Sequence, residues 1–359
     1  MRMLAVIRRR IMSDSPTRNR AEPRPTLKTI AGITGLAVAT VSRALNDAPD
    51  IGEDTKKRVR EVARKIGYRP NRAGVRLRTG RTQVIGLVLA TDDHMMNHTA
   101  QLIYAVSAAL KQSSYHLIIT PYAMGDDPMD AVRYIVETES ADGLILNQIQ
   151  PNDPRIRYMK EQGFPFAAHG RTDMGLDHPY YDFDNAEFGR LGVRDLRARG
   201  RKRLCLIPPR GDQTYAQHMR TGFAEATADL EAEIIENVNS DSSSAELDAE
   251  AERIFASADT PDGLLIGSAN ATMAVVRACE ARGLEIGRDV DIVSKEAVQF
   301  LRLFRSELIV YHEDVQIAGA FLADAVIRAI EAPDMPPLPS VDGPMDVIHG
   351  ETARALSTG

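Results

Sequence analysis

The sequence predicts a small all-α head of the helix-turn-helix kind, then a short basic linker, then a large two-lobed α/β body with parallel sheets. Three observations carry that prediction. Helical apolar spacing broken by Gly35 and Gly67 fills residues 26–69. Short apolar runs alternating with amphipathic stretches fill the chain from residue 83 onward. Charge divides at the same place: residues 1–82 hold 20 Lys and Arg against 7 Asp and Glu, and the remainder holds 24 against 43, beneath a net charge of −6. A basic head on an acidic body suits a head that meets a polyanion and a body that does not.

Residues 1–25 end in a stretch rich in Arg, Pro, Asn and Ser and read as a disordered tail. Thr26 is placed to cap a first helix that carries Leu27, Ile30, Ala31 and Ile33 at helical spacing, and Gly35 breaks it. A second helix spans 37–45, with Val38, Val41, Ala44 and Leu45 as its apolar stripe; Asn46-Asp47-Ala48-Pro49 is a turn. The third helix, 53–66, turns Val59, Val62, Ala63 and Ile66 inward and its Lys and Arg outward, ending at Gly67. The head therefore covers 26–69 and the linker 70–82.

In the body, 83–359, strands are expected at 84–90, 116–120, 143–147, 164–169, 203–208, 233–238, 263–267, 289–293 and 307–311. Helices such as 99–112, 186–198, 215–228, 245–256, 272–282 and 315–331 lie between them. Near-continuous apolar strands separated by helices indicate parallel sheets covered on both faces. Their number is too great for one typical open sheet, hence two lobes.

Several function classes are excluded. Cys205 and Cys279 sit in apolar and helical patterns and read as reduced core residues, with no disulfide framework. No stretch approaches the ~20 apolar residues of a membrane span. The apolar part of residues 1–11 is too short for a signal core and lies on the wrong side of its arginines, so a cytoplasmic chain is expected. His-Glu-x-x-His, Gly-x-Ser-x-Gly, a Gly-rich phosphate loop and paired zinc cysteines are lacking, and the scattered histidines have no metal-ligand spacing. The expectation is a protein that is not an enzyme, with no catalytic residues, metal or cofactor.

Leu27-Lys28-Thr29-Ile30-Ala31, Thr40-Val41-Ser42-Arg43-Ala44-Leu45-Asn46 and Gly67-Tyr68-Arg69-Pro70-Asn71 together resemble the lactose-repressor (LacI/GalR) family of bacterial transcription regulators. The resemblance continues in Ile85-Gly86-Leu87-Val88, His169-Gly170-Arg171, Asp184-Asn185, Gly222-Phe223, Asn270 with Met273-Ala274, and Glu313-Asp314. It implies a periplasmic-binding-protein-like body and a homodimer on a pseudo-palindromic operator in double-stranded DNA. It also implies a small-molecule effector, a sugar or sugar derivative, that changes operator affinity, with repression of carbohydrate-use genes as the default. The alternative is a sugar-binding transport protein sharing the two-lobed body, which predicts an export signal and no basic head.

The resemblance makes the second helix the recognition helix, with Val38 and Ala39 at the positions that choose the operator. Both can pack on a thymine methyl but cannot hydrogen-bond a base; for Val38 core packing is the competing role. Thr40 and Ser42 suit phosphate contacts, Arg43 a guanine edge or a phosphate, and Thr29 joins the DNA-facing set. Asn46, Tyr68 and Asn71 fit the role of backbone-positioning groups. In the linker, Arg72 faces DNA and Leu77 matches a minor-groove wedge, while Gly74 weakens the implied hinge helix by roughly 1 kcal/mol. A flexible basic linker is the alternative there.

For the effector cleft the resemblance implies Arg171, Asp184, Asn270 and Glu296, side chains that match sugar hydroxyls with paired donors and acceptors. Asp184 and Asn270 equally suit helix caps. Asp93, with His94 and His98, follows the first strand, where this fold places cleft residues; ordinary loop polarity is the alternative. Two departures from the family pattern stand out. Met219 occupies the usual arginine position with Arg220 beside it as a replacement, and Ser294-Lys295-Glu296-Ala297 replaces the common Gly-Phe/Tyr-Asp-Asp.

Overall fold

The structure, a computed structural model, describes residues 25–69, 74, 76, 79–91, 96–123, 125–257 and 259–344. It divides into two compact units, 1–80 and 81–359.

The first unit holds helices α1 (Leu27–Thr34), α2 (Val38–Leu45) and α3 (Glu53–Lys65). Thr26 caps α1 in a reciprocal box with Thr29: each backbone N–H donates to the other's hydroxyl, at 3.3 and 3.0 Å. Gly35, at φ 71°, ends α1 in the left-handed region where a side chain would strain the turn. Ile30, Val41, Ala44, Val59 and Ala63 form the core, ringed by Leu27, Leu36, Leu45, Ile51, Val62, Ile66 and Tyr68. Acids Glu53 and Asp54 open α3 and bases Arg64 and Lys65 close it, matching the helix dipole. The stripe expected on the second helix needs one correction. Val38 is 39% exposed because it occupies the first turn, clear of α1 and α3, and only Val41 and Ala44 are buried.

The second unit is built on two parallel sheets. The first contains β1 (Val84–Thr91), β2 (His116–Ala123), β3 (Gly143–Leu146), β4 (Phe166–His169), β5 (Tyr180–Phe183) and β11 (Pro339–Asp342), in the order β11-β5-β4-β3-β1-β2. The second contains β6 (Arg203–Ile207), β7 (Glu231–Ile234), β8 (Gly263–Ile266), β9 (Asp291–Glu296) and β10 (Ile309–His312), in the order β10-β9-β8-β6-β7. Every strand pairing is parallel. Helices α4 (Met96–Leu110), α5 (Pro128–Glu137), α6 (Pro154–Glu161) and α12 (Val315–Glu331) cover the first sheet. Helices α7 (Asn185–Ala198), α8 (Thr214–Ala226), α9 (Ser244–Ala256) and α10 (Ala269–Ala281) cover the second, and the short α11 (Leu301–Phe304) comes after β9.

The chain crosses from the first lobe to the second after β5, and returns after β10. Each crossing ends in an aspartate that caps the next helix. Asp184 accepts from Glu187 N at 2.9 Å, and Asp314 from Gln316 N at 2.9 Å. The Gly222-Phe223 pair marks the α7–α8 packing: a Cβ on Gly222 would fall inside the radius of Ala186 O, so only glycine allows this approach.

Three strand assignments differ from the sequence expectation. The strand placed at 233–238 is β7, Glu231–Ile234, because Ile235 belongs to the core beyond the edge strand. β5 and β11 have no counterpart in the expected set: each is four residues long, with Asp182 inside one and Pro339 opening the other, which hides strand patterning. Both cysteines are free and buried as expected, and burial pushes the Cys205 thiol up to about 12. Among the described residues no helix is long and apolar enough to cross a membrane.

Candidate functional site

Two surfaces carry functional chemistry, one in each unit. On the head, Val38, Ala39, Arg43 and Asn46 are exposed along one side of α2, with Thr40 and Ser42 half-buried beside them. Val41 and Ala44 anchor the opposite side in the core. That spacing gives a helix whose outer face holds small apolar groups at its N-terminal turn and polar groups further along, a shape suited to a DNA major groove. Arg43 pairs with Asp50 across the next turn, so part of its charge is already neutralised. Asn46 donates to Ser42 O at 2.6 Å, Thr29 shares its hydroxyl with the α1 cap, and Tyr68 packs on the head core.

In the body, the C-terminal ends of strands from both sheets converge on a cleft enclosing about 1070 Å³ of empty space, part of it open to solvent. The first lobe contributes Asn147, Gln148 and Ile149 after β3, His169 on β4 and Asp182 on β5; the second contributes Ser268 and Asn270 at the start of α10 and Lys295 and Glu296 on β9. A switch point beyond strand ends is where open parallel sheets place ligands. Arg155, 2% exposed, braces the first-lobe wall: it pairs with buried Asp153 at 2.6 Å and donates to Asn147 O at 3.2 Å and Gln148 O at 2.9 Å. Thr214 N donates to Ile149 O at 2.9 Å, one hydrogen bond joining the lobes.

A polar knot sits at the floor of the cleft. Lys295 Nζ donates to Glu313 Oε2 at 3.0 Å and to Asn185 Oδ1 at 2.9 Å, and lies over the rings of Phe183 (5.0 Å) and Tyr215 (5.6 Å). Glu313 also meets His98 Nε2 at 3.3 Å, and His98 stacks on His169 with centroids 5.3 Å apart. Burial works to raise the Glu313 carboxyl, but Lys295 and the two imidazoles outweigh it and hold it well below its ordinary value. Burial, with His98 adding to it, pushes His169 down to about 4. Burial also lifts Asp182 to about 7 against the pull of Arg171, whose Nε is 3.0 Å away.

The histidines show no metal-ligand spacing along the sequence, yet folding brings His98, His169 and Glu313 within reach of one another. Two imidazoles and a carboxylate are a donor set that a transition metal can use. As it stands the cluster is an ion-paired knot: the Nε2 atoms of His98 and His169 both stand beside Glu313 Oε1, at 3.3 and 3.9 Å, and an ammonium group occupies the second carboxylate oxygen.

Comparison with known proteins gives these surfaces a lineage. Residues 26–71 match the family described as bacterial regulatory proteins, lacI family. Residues 82–341 match the periplasmic binding proteins and sugar binding domain of LacI family. The chain belongs to the LacI family. Among LacI-type relatives, the transcriptional regulator AglR of Rhizobium meliloti (strain 1021) is 29% identical over 85% of this chain and 87% of its own. RafR of Escherichia coli is 36% identical over 56% of this chain and 60% of its own. The lac repressor dimer bound to operator and the anti-inducer ONPF has the same fold, with a TM-score of 0.78 at 18% identity over 90% of this chain and 97% of that one. A CelR–cellobiose complex superposes with a TM-score of 0.65 at 20% identity over 90% of this chain and 99% of that one.

Within this LacI-family cleft, the expected effector residues divide. Asn270 and Glu296 line it, Glu296 accepting from Phe300 N at 3.0 Å and Leu301 N at 2.9 Å. Three others do not line it. Arg171 turns to Asp182, the Asp184 carboxylate caps α7, and Arg220 pairs with Glu236 at 2.7 Å, while Met219 before it is fully buried in the core. Asp93, His94, Asn71, Arg72 and Leu77 lie outside the described residues; of the hinge, Gly74, Arg76 and Thr79 are helical, and Gly80 N donates to Arg76 O at 2.8 Å. The sequence reading missed Asn147, Asp182, Asn185, Thr214, Tyr215 and Asp241 as cleft residues. Asn147, Asn185, Thr214 and Tyr215 share one signal, a position just past the end of a strand or at the start of a helix, whereas Asp182 lies inside β5 and Asp241 in the loop before α9.

Proposed function

We propose that this protein is a sequence-specific DNA-binding transcription regulator whose operator affinity is set by a small polyhydroxy effector held between the lobes of its body. The observation that carries the reading is the presence, on one chain, of a basic three-helix head with an exposed recognition face and a two-lobed body with a polar cleft. Val38 and Ala39 are the base-reading positions, with Thr40, Ser42 and Arg43 supplying polar contacts and Asn46 and Thr29 flanking them. Asn270 and Glu296, joined by Asp182, Lys295 and Glu313, form the effector set. Two copies of the chain on a pseudo-palindromic operator, as in the lac repressor dimer, provide two heads for two half-sites.

A sugar effector is supported by the cellobiose bound to the CelR relative and by the hydrogen-bonding character of this cleft. Effector and operator then trade a coupling energy of about 1–3 kcal/mol through the two lobe crossings, where Asp184 and Asp314 stand. The relatives are regulators, and the sequence holds no catalytic signature, which supports a regulator that is not an enzyme and works in the cytoplasm. A transport protein would share the body but has no use for the head.

The test is a mobility-shift series on DNA upstream of neighbouring genes, with and without a sugar panel. Specific retardation that one sugar relieves or strengthens is the expected result. Retardation indistinguishable from that of random DNA would remove the regulator reading.

A further inference from the structure

The cleft carries a charge signature that specifies the class of its effector, an inference that rests on the sugar-sensor reading and narrows it. Among the described residues its lining has four acidic side chains, Asp182 (which burial lifts to about 7), Asp241, Glu296 and Glu313, and one lysine, Lys295, with no arginine. That lysine is already paired. Its ammonium, on a side chain 12% exposed, donates to Glu313 at 3.0 Å and Asn185 at 2.9 Å and is faced by the rings of Phe183 and Tyr215. The arginines beside the cleft are committed as well: Arg171 lies against Asp182, and Arg155 is buried against Asp153 behind the wall.

At two helix N-termini beside the cleft, common seats for anions, one backbone donor each is already engaged. Thr214 N at the start of α8 donates to Ile149 O, and Ser268 Oγ caps Ala271 N at the start of α10. What the cleft leaves unsatisfied is mostly acceptor capacity. Asn147 Oδ1 and Thr214 Oγ1 are buried and have no hydrogen-bond partner among the described residues, and His98 Nδ1 is in the same position. These atoms come from both lobes and call for the hydroxyls of a ligand.

We infer that the cleft selects an uncharged polyhydroxy ligand, a free sugar or glycoside, and rejects its phosphorylated or carboxylated forms, with the Lys295–Glu313 pair as the discriminating element. An anionic sugar would be desolvated against carboxylates, while the lysine that could receive it is already neutralised. The molecule sensed is therefore the sugar before any phosphotransfer or oxidation that would charge it.

The experiment uses the full chain, a thermal-shift screen and calorimetric titration. One panel holds uncharged sugars (glucose, galactose, melibiose, raffinose, maltose, cellobiose), the other glucose 6-phosphate, galacturonate and gluconate. An uncharged member should raise Tm saturably and bind roughly tenfold or more tightly than any charged one. Glu313→Gln, which frees Lys295, should shrink that ratio several-fold. A charged sugar that binds wild-type protein as well as its uncharged parent overturns the charge inference and leaves the sugar sensor standing. If no sugar of either panel shifts Tm, both fall. Should Glu313→Gln fold poorly, the wild-type comparison alone decides.

Discussion

Replacing Lys295 with Met removes the one cation that faces Glu313 at 3.0 Å, leaving a carboxylate whose side chain is 10% exposed. At an effective dielectric of about 20, the lost attraction at that distance is about 5–6 kcal/mol. Relief of lysine desolvation offsets part of it, and removing one partner of a buried pair typically costs ~3–5 kcal/mol. A second limit decides the outcome. Glu313 can take up a proton instead, at about 1.4 kcal/mol for each pH unit above its ordinary 4.5. That caps the loss near about 4.8 kcal/mol at pH 8 and about 1.4 kcal/mol at pH 5.5, so the variant should be markedly more destabilised at the higher pH. Urea unfolding monitored by far-UV circular dichroism is the assay, since the chain has no Trp. The double variant Lys295→Met with Glu313→Gln should recover most of the loss at pH 8. A penalty equal at both pH values, or a double variant no more stable than the single one, would refute the reasoning.

Three further outcomes are expected. His169 has its ordinary value of 6.5 depressed to about 4, so its contribution is fully present above pH 6.5 and is lost as pH falls toward 4, on the order of 3 kcal/mol in all. His169→Gln should flatten that acid-side loss relative to wild type. Asp182, raised to about 7, works in the opposite sense in both proteins and cancels in the difference; identical pH slopes would contradict the assignment. Asp184→Ala should cost about 1 kcal/mol through the lost α7 cap and leave sugar affinity unchanged, whereas a large rise in Kd at unchanged stability would return Asp184 to the effector set. Val38→Gln, on the exposed start of α2, should move base preference by about 1–3 kcal/mol at the matching operator position, measured by selection from random DNA; an unaltered preference profile would take Val38 out of the readout.

The head was almost wholly legible in the sequence because its determinants are local. Thr26 caps α1, Gly35 and Gly67 end α1 and α3, and Ile30, Val41, Val59 and Ala63 fall inward from helical spacing alone. The two-lobed parallel body was legible for a similar reason, since strands buried on both faces must be apolar throughout. Short strands such as β5, with Asp182 inside it, escape that rule because a site residue breaks the pattern that would reveal them.

The cleft was only partly legible. Asn270 and Glu296 were found, but Arg171, Asp184 and Arg220 are polar residues near a strand end or on a helix whose side chains turn elsewhere. No linear pattern joins Asn185, Lys295 and Glu313 with His98 and His169, which stand up to 215 positions apart. Sequence determines which segments form helices and strands, because hydrogen bonding and side-chain periodicity act over a few residues. Which charges meet, and which of them end up neutralised, is decided only when two sheets bring their strand ends together, and that pairing is what sets the chemistry of the ligand this protein can hold.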